Sequence, residues 1–387
     1  MTSSPAHRAT RTASRSFEPV REITAILVSW NDAEDLVAAV RSLAEARCRV
    51  PAGGPRVSLI VVDNGGGVRD PGEIRSLWPD GSILVNEDNQ GFGPAANQAA
   101  GLATGDALLF LNPDTRAEGD PFSEIALGFD THPEAVALAP RLLDFDGADP
   151  TLQSKIQNPK SKIGPRLSPP DREDQFTFQL RRFPSLASDA RELLLADHFV
   201  PNNRGRRRAR YADFARTAPF EVEQAAAAAL AVRESVFRGL GGFDARFVPA
   251  WFEDVDLCAR LVREGKVLFW PEARFRHRGG VSSSTLGYAR FLPIYYRNAL
   301  LYRRLHYGRA ARVLYRPLLA AGMLLRLAAL PFRPTVPRPR IEAARAYLAT
   351  LAVALGLSKP GSRIQVPKSV PEISNRKSKI ENRKSND

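Results

Sequence analysis

From Ala107 to Thr115 the chain reads ALLFLNPDT. Its first five residues, Ala107 to Leu111, are all apolar, enough for a strand buried on both faces, and the run stops abruptly at Asn112-Pro113-Asp114. An acid is thereby delivered to a strand's carboxyl end. That edge is where open α/β sheets bind ligands, and a carboxylate there can hold a divalent cation against a substrate's phosphates. A plain turn accounts for the same three residues, because Asn, Pro and Asp all favour turns. The flanking sequence has to separate the two.

On the N-terminal side, Ile23 to Ser29 (ITAILVS) and Ser58 to Asp63 (SLIVVD) read as buried strands, and Ser82 to Asn86 as a third. Helical patterns run over Ala33 to Ala46 and Pro94 to Ala103, and on the C-terminal side a helix (Pro121 to Asp130) and a strand (Val136 to Pro140) follow. Alternating strands and helices predict an α/β fold: a Rossmann-like, mostly parallel sheet with helices on both faces. Residues 22–115 look like a nucleotide-binding half, followed by a second half over 116–285 that the resemblance described below implies is the acceptor half. Within the latter, 151–220 is rich in Pro, Arg and Ser and reads as a variable region or lid. Its segment NPKSKI (Asn158 to Ile163) recurs as NRKSKI (Asn375 to Ile380), a repeat too short to bury a core. The alanine run Ala225 to Ala229 suits strand or helix equally; Val267 to Trp270 is a strand. Residues 286–357 read as a helical extension with aromatic and Arg residues interleaved, as an interfacial helix requires.

A composition of 44% hydrophobic and 25% charged residues is ordinary for a globular protein. The net charge of +13 invites a nucleic-acid reading, but the surplus collects in two expected disordered tails, 1–21 and 358–387, and in the stretch Asn203 to Arg216. That distribution favours an anionic membrane surface or a phosphorylated substrate over a nucleic-acid groove. Cys48 and Cys258 make no disulfide framework and read as buried thiols on helices. The apolar run Leu318 to Leu330 is interrupted by Arg326 and too short to span a bilayer, so the expected location is cytoplasmic, with peripheral contact at the membrane's inner face.

Several further residues are placed for chemistry. Asp63 ends a strand beside glycines, suited to a base or ribose. Asn89-Gln90-Gly91-Phe92-Gly93-Pro94-Ala95-Ala96-Asn97 opens a helix whose first N–H groups can face a phosphate. It contains G-x-G-x-x-A, the basis of a rival reading as an NAD-dependent enzyme, though it follows the third strand and not the first. The bland alternative is a helix cap, with Asn97 satisfying a neighbouring loop. Glu253 and Asp254 follow Trp251-Phe252 at a helix start, as capping charges or as a base shielded from water. Asp256 and Arg260 read as an ordinary i, i+4 pair, and His277 as a metal ligand or as a surface histidine among arginines.

Taken in order, VSWN (Val28 to Asn31), VVDNG (Val61 to Gly65), NQGFGPAAN (Asn89 to Asn97), LNPDT (Leu111 to Thr115), GGFDARF (Gly241 to Phe247), FEDVDLCAR (Phe252 to Arg260) and His277 followed by GGVS resemble family-2 glycosyltransferases, most of all the rhamnosyltransferase-type branch. The resemblance covers about Ile23 to Tyr307 and implies a GT-A fold, a nucleotide-sugar donor (rhamnose from dTDP-rhamnose as the best guess), and an inverting transfer to a glycan or lipid-linked acceptor of a cell-wall or surface polysaccharide. It implies that Ser29, Asn31, Asp63, Asn89, Gly91, Asn97 and Asn112 serve the donor, and that Asp114, with His277, holds Mg²⁺ or Mn²⁺. Asp254, beside Glu253, would be the catalytic base. The chain departs from the family pattern at Asn112, where the first acid of a DxD would stand, at Gly66-Gly67-Val68, and at Ala226 to Ala229, where a small Ser-Gly-Ala segment is usual. The remaining rival is a non-catalytic basic protein that binds membrane or nucleic acid.

Overall fold

The computed structural model describes residues 17–65, 71–145, 175–200, 203–279, 286–332 and 339–357. Both NPKSKI-like segments, Gly66-Gly67-Val68, most of each terminal tail and residues 151–174 of the expected variable region lie outside the described residues.

Strands β1 (Glu22–Ser29), β2 (Arg56–Asn64), β3 (Ser82–Asn86) and β4 (Ala107–Leu111) lie in the order β3-β2-β1-β4, every pair parallel. Helices α1 (Ala33–Arg47), α2 (Pro71–Leu77) and α3 (Phe92–Leu102) make the crossovers. Alternate residues of β1 feed opposite cores, as a strand's period of two requires. Ile23, Ala25 and Leu27 pack with Leu36, Val40 and Leu43 of α1; Ile26 and Val28 pack with Ala95, Ala96 and Ala99 of α3. Each large side chain so buried contributes roughly 1.5–3 kcal/mol. β5 (Thr115–Glu118), α4 (Pro121–Thr131) and β6 (Ala135–Asp144) follow, and α4 starts with Asp120 accepting the Ser123 N–H at 3.1 Å and Pro121 in the first turn.

The second half breaks the parallel rule. The alanine run resolves into β10 (Ala229–Arg233), which enters antiparallel between β4 and β6. β11 (Lys266–His277) is longer than the four-residue strand expected, pairing in parallel with β6 across a register shift at Trp270/Arg274 and antiparallel with β5. The sheet order is β3-β2-β1-β4-β10-β6-β11-β5, with β8 (Phe220–Glu221) beside β11. A small ribbon pairs β7 (Leu180–Arg181) with β9 (Gln224–Ala225); α6 (Glu234–Gly239) lies against β10, whereas α5 (Leu186–Leu193) sets Leu193 among the C-terminal helices. Because β10 runs against its neighbours, its amino end lies at the edge where β1, β2, β4, β6 and β11 end.

Helix α7 (Glu253–Leu261) carries the adjacent acids, and α8 (Tyr288–His306), α9 (Gly308–Ala329) and α10 (Arg340–Leu355) pack on one another and on α7. Two expectations are corrected here. Cys48 is exposed one residue past the end of α1, whereas Cys258 is buried with its thiol pushed up to about 12 by burial. The run Leu318 to Leu330 belongs to a 25-residue helical stretch, Gly308–Phe332, that is long enough to cross a membrane and holds an 18-residue portion with a mean hydropathy of 1.5, apolar enough by composition. In the structure it packs sideways on the other helices, with Arg326 donating to the carbonyls of Leu193, Glu192 and Gly322.

Candidate active site

The carboxyl edge of the sheet gathers the chemistry. Ser29 and Asp63 are register partners at the ends of β1 and β2, both buried, and the Ser29 hydroxyl has no hydrogen-bond partner. Asn31, just beyond β1, is exposed and takes a left-handed φ of 60°. At the end of β4, Asn112 donates its backbone N–H to the Ala228 carbonyl at 3.1 Å and accepts the Thr115 hydroxyl at 2.7 Å.

Asp114 is 5% exposed. Its Oδ2 accepts the Gly279 N–H at 3.0 Å, and its Oδ1 lies 3.3 Å from His277 Nε2. Burial pushes this carboxyl up, but the His277 charge and hydrogen bond, with the Gly279 N–H, prevail and hold it below the usual carboxylate range. His277 is therefore no surface histidine. It is 2% exposed because β11 runs on to place it against β5 and β6.

The partners of His277 say which nitrogen carries its proton. Gln175 Nε2 donates to Asp144 Oδ1 at 2.7 Å and to the His277 carbonyl at 2.6 Å, which turns Gln175 Oε1 onto His277 Nδ1 at 2.7 Å. Nδ1 is then the donor. On its other side the ring sets Nε2 3.3 Å from Asp114 Oδ1 and 3.5 Å from the Asn112 amide nitrogen, so a ring without a proton on Nε2 would turn that lone pair to a place where a metal cation could join it to the carboxylate. The donor set thus fits a divalent cation, although among the described residues no three His, Cys, Asp or Glu side chains cluster as a complete metal cage. Further oxygens would have to come from a ligand.

Sequence reasoning missed the rest of this corner. Asp32, at the start of α1, has its carboxyl raised to about 6 by burial and by the charge of Asp114, against the opposing pull of Arg278. Asp35 pairs with Arg116 at 3.3 Å and with Arg278. Asp32 directly follows Trp30-Asn31 at a strand end, a signal as good as the one that singled out Asp114; Gln175 and Arg278 gave none.

Glu253 and Asp254 stand on the other side of the alanine run. Ala228 accepts from Asn112, while the Ala227 N–H points at Asp254 Oδ2 at 3.4 Å, so one short segment separates the two acidic centres. Asp254 Oδ1 also accepts the Val255 N–H at 2.8 Å. Glu253 is buried with Oε2 unpartnered, and burial and the Asp254 charge push its carboxyl well above the usual range. Burial raises Asp254 as well, opposed by the Val255 and Ala227 N–H groups. Of the pair, Asp254 carries two N–H donors from neighbouring residues, and Glu253 is the one pushed furthest toward its neutral form, by burial and by the Asp254 charge. Asp256, expected in a surface-type pair, is instead 2% exposed: Oδ2 accepts from Arg260 Nε at 2.9 Å and Nη2 at 2.7 Å, and Oδ1 lies 2.7 Å from His306 Nε2.

The bend ahead of these acids is unusual. Trp251 and Phe252 are consecutive non-glycine residues with φ of 73° and 75°, each costing on the order of 1–3 kcal/mol unless the surroundings hold it.

The glycine motif packs against the same loop. Phe92 donates its N–H to the Pro249 carbonyl at 2.7 Å, so this first-turn donor of α3 is engaged by protein. A Cβ on Gly91, φ 89°, would lie 2.9 Å from that carbonyl oxygen. Asn89 Oδ1 accepts the Gly91 N–H at 2.8 Å and the Asn64 amide at 3.0 Å. Asn97 exchanges both amide bonds with the Phe243 backbone, at 2.9 and 2.8 Å, the loop-satisfying arrangement weighed as its alternative.

Residues 24–188 match the model of the family described as Glycosyl transferase family 2. No curated protein matches the sequence. Among solved structures the chain is similar to GalNAc-T7 with UDP, GalNAc and Mn2+ (13% identity over 86% of this chain and 55% of that one, TM-score 0.49), so it spans about half of that chain's length. It is similar also to the mannosyltransferase PcManGT from Pyrobaculum calidifontis with GDP-Man and Mn2+ (13% identity, 88% and 87% covered, TM-score 0.45) and to TarS of S. aureus (11% identity, 87% and 90% covered, TM-score 0.42). At these identities and scores the ligands of those proteins remain statements about those proteins.

Proposed function

We propose that this chain, whose residues 24–188 match the model of glycosyl transferase family 2, carries out an inverting transfer of a hexosyl group from a nucleotide-sugar donor to a hydroxyl of a glycan or lipid-linked acceptor. The observation that carries this reading is the buried Asp114–His277 pair at the sheet edge, set one alanine segment away from Asp254. Asp254 accepts the acceptor hydroxyl's proton as that oxygen bonds to the anomeric carbon; the bond from that carbon to the donor's diphosphate breaks, and the diphosphate leaves with the electron pair. Glu253, kept protonated, spares Asp254 a second adjacent charge. Ser29, with its unsatisfied hydroxyl, and Asp63 line the nucleoside end. Asp114 and His277 would hold a divalent cation, whose chemistry is to neutralise the departing diphosphate. Rhamnose remains the best-supported sugar on the sequence resemblance alone, with cell-wall or surface polysaccharide as the product.

The test is a thermal-shift screen across nucleotide sugars with and without Mn²⁺ or Mg²⁺. One nucleotide sugar should raise the melting temperature selectively, more so with cation, and Asp114→Ala should remove the cation-dependent part. No stabilisation by any nucleotide sugar would overturn the reading.

Contact with an anionic membrane surface belongs to the same proposal. Along α9 and its continuation, Val313 (64% exposed), Leu314, Leu324, Leu325 and Phe332 (85% exposed) are exposed apolar residues, and Ile341, Leu348 and Leu355 are exposed at seven-residue intervals on α10. Arg304, Arg312 and Arg316 lie close enough to repel, and among the described residues no carboxylate pairs with them. Exposed apolar residues flanked by unneutralised cations suit acidic headgroups. Co-sedimentation with anionic vesicles at low salt should be lost in Leu314→Glu/Leu325→Glu; equal sedimentation of both proteins, or none by the parent, would remove the assignment.

A further inference from the structure

Helix α8 turns one face toward the bend that carries the acids. Phe291, Tyr295, Asn298, Tyr302 and His306 follow one another at intervals of three or four residues, the spacing of a single helical face. Each meets the segment around Glu253 and Asp254. Phe291 packs edge-on against Trp251 at 4.7 Å; Tyr295 and Tyr302 contact Phe252 at 5.1 and 5.7 Å. His306 reaches Asp256 at 2.7 Å. Asn298, 1% exposed, donates both amide hydrogens, to the carbonyls of Ala250 at 3.0 Å and Trp251 at 2.9 Å. Its own Oδ1 accepts from Arg297, which also donates to the Val248 carbonyl.

Two consecutive bulky residues in the left-handed region persist only where their surroundings over-determine them. Here the bend is held by one polar side chain, which caps the carbonyl on either side of the bond leading into Trp251, and by aromatic rings on the same helical face. We propose that Asn298 is a positioning residue for the transfer reaction: it locks the Trp251–Phe252 bend and so sets where the Asp254 carboxylate stands relative to the donor site. α8 is then part of the catalytic apparatus and not an appendage. This rests on the reading of Asp254 as the base.

The experiment compares Asn298→Asp, which keeps the shape and deletes both N–H donors, with the parent enzyme and with Asp254→Asn, under the donor and cation selected by the stabilisation screen. Asn298→Asp should lower kcat at least about tenfold, leave the donor dissociation constant within about twofold, and speed amide hydrogen exchange in peptides covering residues 248–256. Asn298→Gln, which retains two donors, should recover part of the rate. Should the aspartate variant not fold, Asn298→Ser carries the same three measurements. Parental kcat and exchange in a folded Asn298 variant, with Asp254→Asn inactive, would overturn the positioning role; an active Asp254→Asn would overturn the base assignment instead.

Discussion

At the scale of single residues, the division of labour between Glu253 and Asp254 follows from their hydrogen bonds. A buried carboxyl whose Oε2 meets no donor resists ionisation, while its neighbour is served by the Val255 and Ala227 N–H groups. Because the folded state holds the Glu253 proton more tightly than the unfolded chain does, that stability is fully present below the unfolded value of 4.5 and is lost as pH rises through the raised folded value. Glu253→Gln should therefore flatten the decline of melting temperature above pH 5 while retaining more turnover than Asp254→Asn. A variant whose melting temperature follows the parental pH profile would place the proton elsewhere. His277 teaches the complementary lesson: its residue type and neighbours in sequence could not say whether it was buried, because the carboxylate it faces comes from a strand far back in the chain.

At the scale of elements, α7 is anchored through its first turn. Its first turn issues from the bend held by Asn298, and Asp256 ties its flank to His306 of α8 and back to Arg260. Removing one partner from a buried ionic cluster costs about 3–5 kcal/mol, far above the sub-kilocalorie value of an exposed pair. Asp256→Asn should accordingly lower the melting temperature by several degrees and loosen α8, measured by calorimetry and hydrogen exchange; a neutral substitution would mean the cluster is not stabilising. The same reasoning applies to Gly91, where Gly91→Ala combines a disfavoured φ with a close approach to the Pro249 carbonyl. Melting several degrees below the parent is expected there, and parental stability would show that the two loops can part freely.

At the scale of the molecule, what could be read from the chain alone depended on locality. The parallel strands announced themselves as apolar runs, and the acids at their ends as interruptions. The alanines before Val232 carried no period, so neither β10 nor its antiparallel entry could be foreseen, although that strand is what brings the Asn112 and Asp254 segments together. The aromatic and basic residues of α8 read as an interfacial pattern in the sequence because an apolar face seeking lipid and one seeking another helix have the same spacing. The structure assigns that spacing to Trp251, Phe252 and Asp256, and leaves the exposed apolar residues on α9 and α10. The whole arrangement converges on one proton acceptor. The decisive measurement is steady-state transfer and donor binding by Asp254→Asn, which preserves size and hydrogen bonding but cannot take a proton. The account predicts turnover reduced by roughly a hundredfold or more with donor affinity nearly unchanged; parental turnover, or donor binding lost in parallel with it, would contradict it.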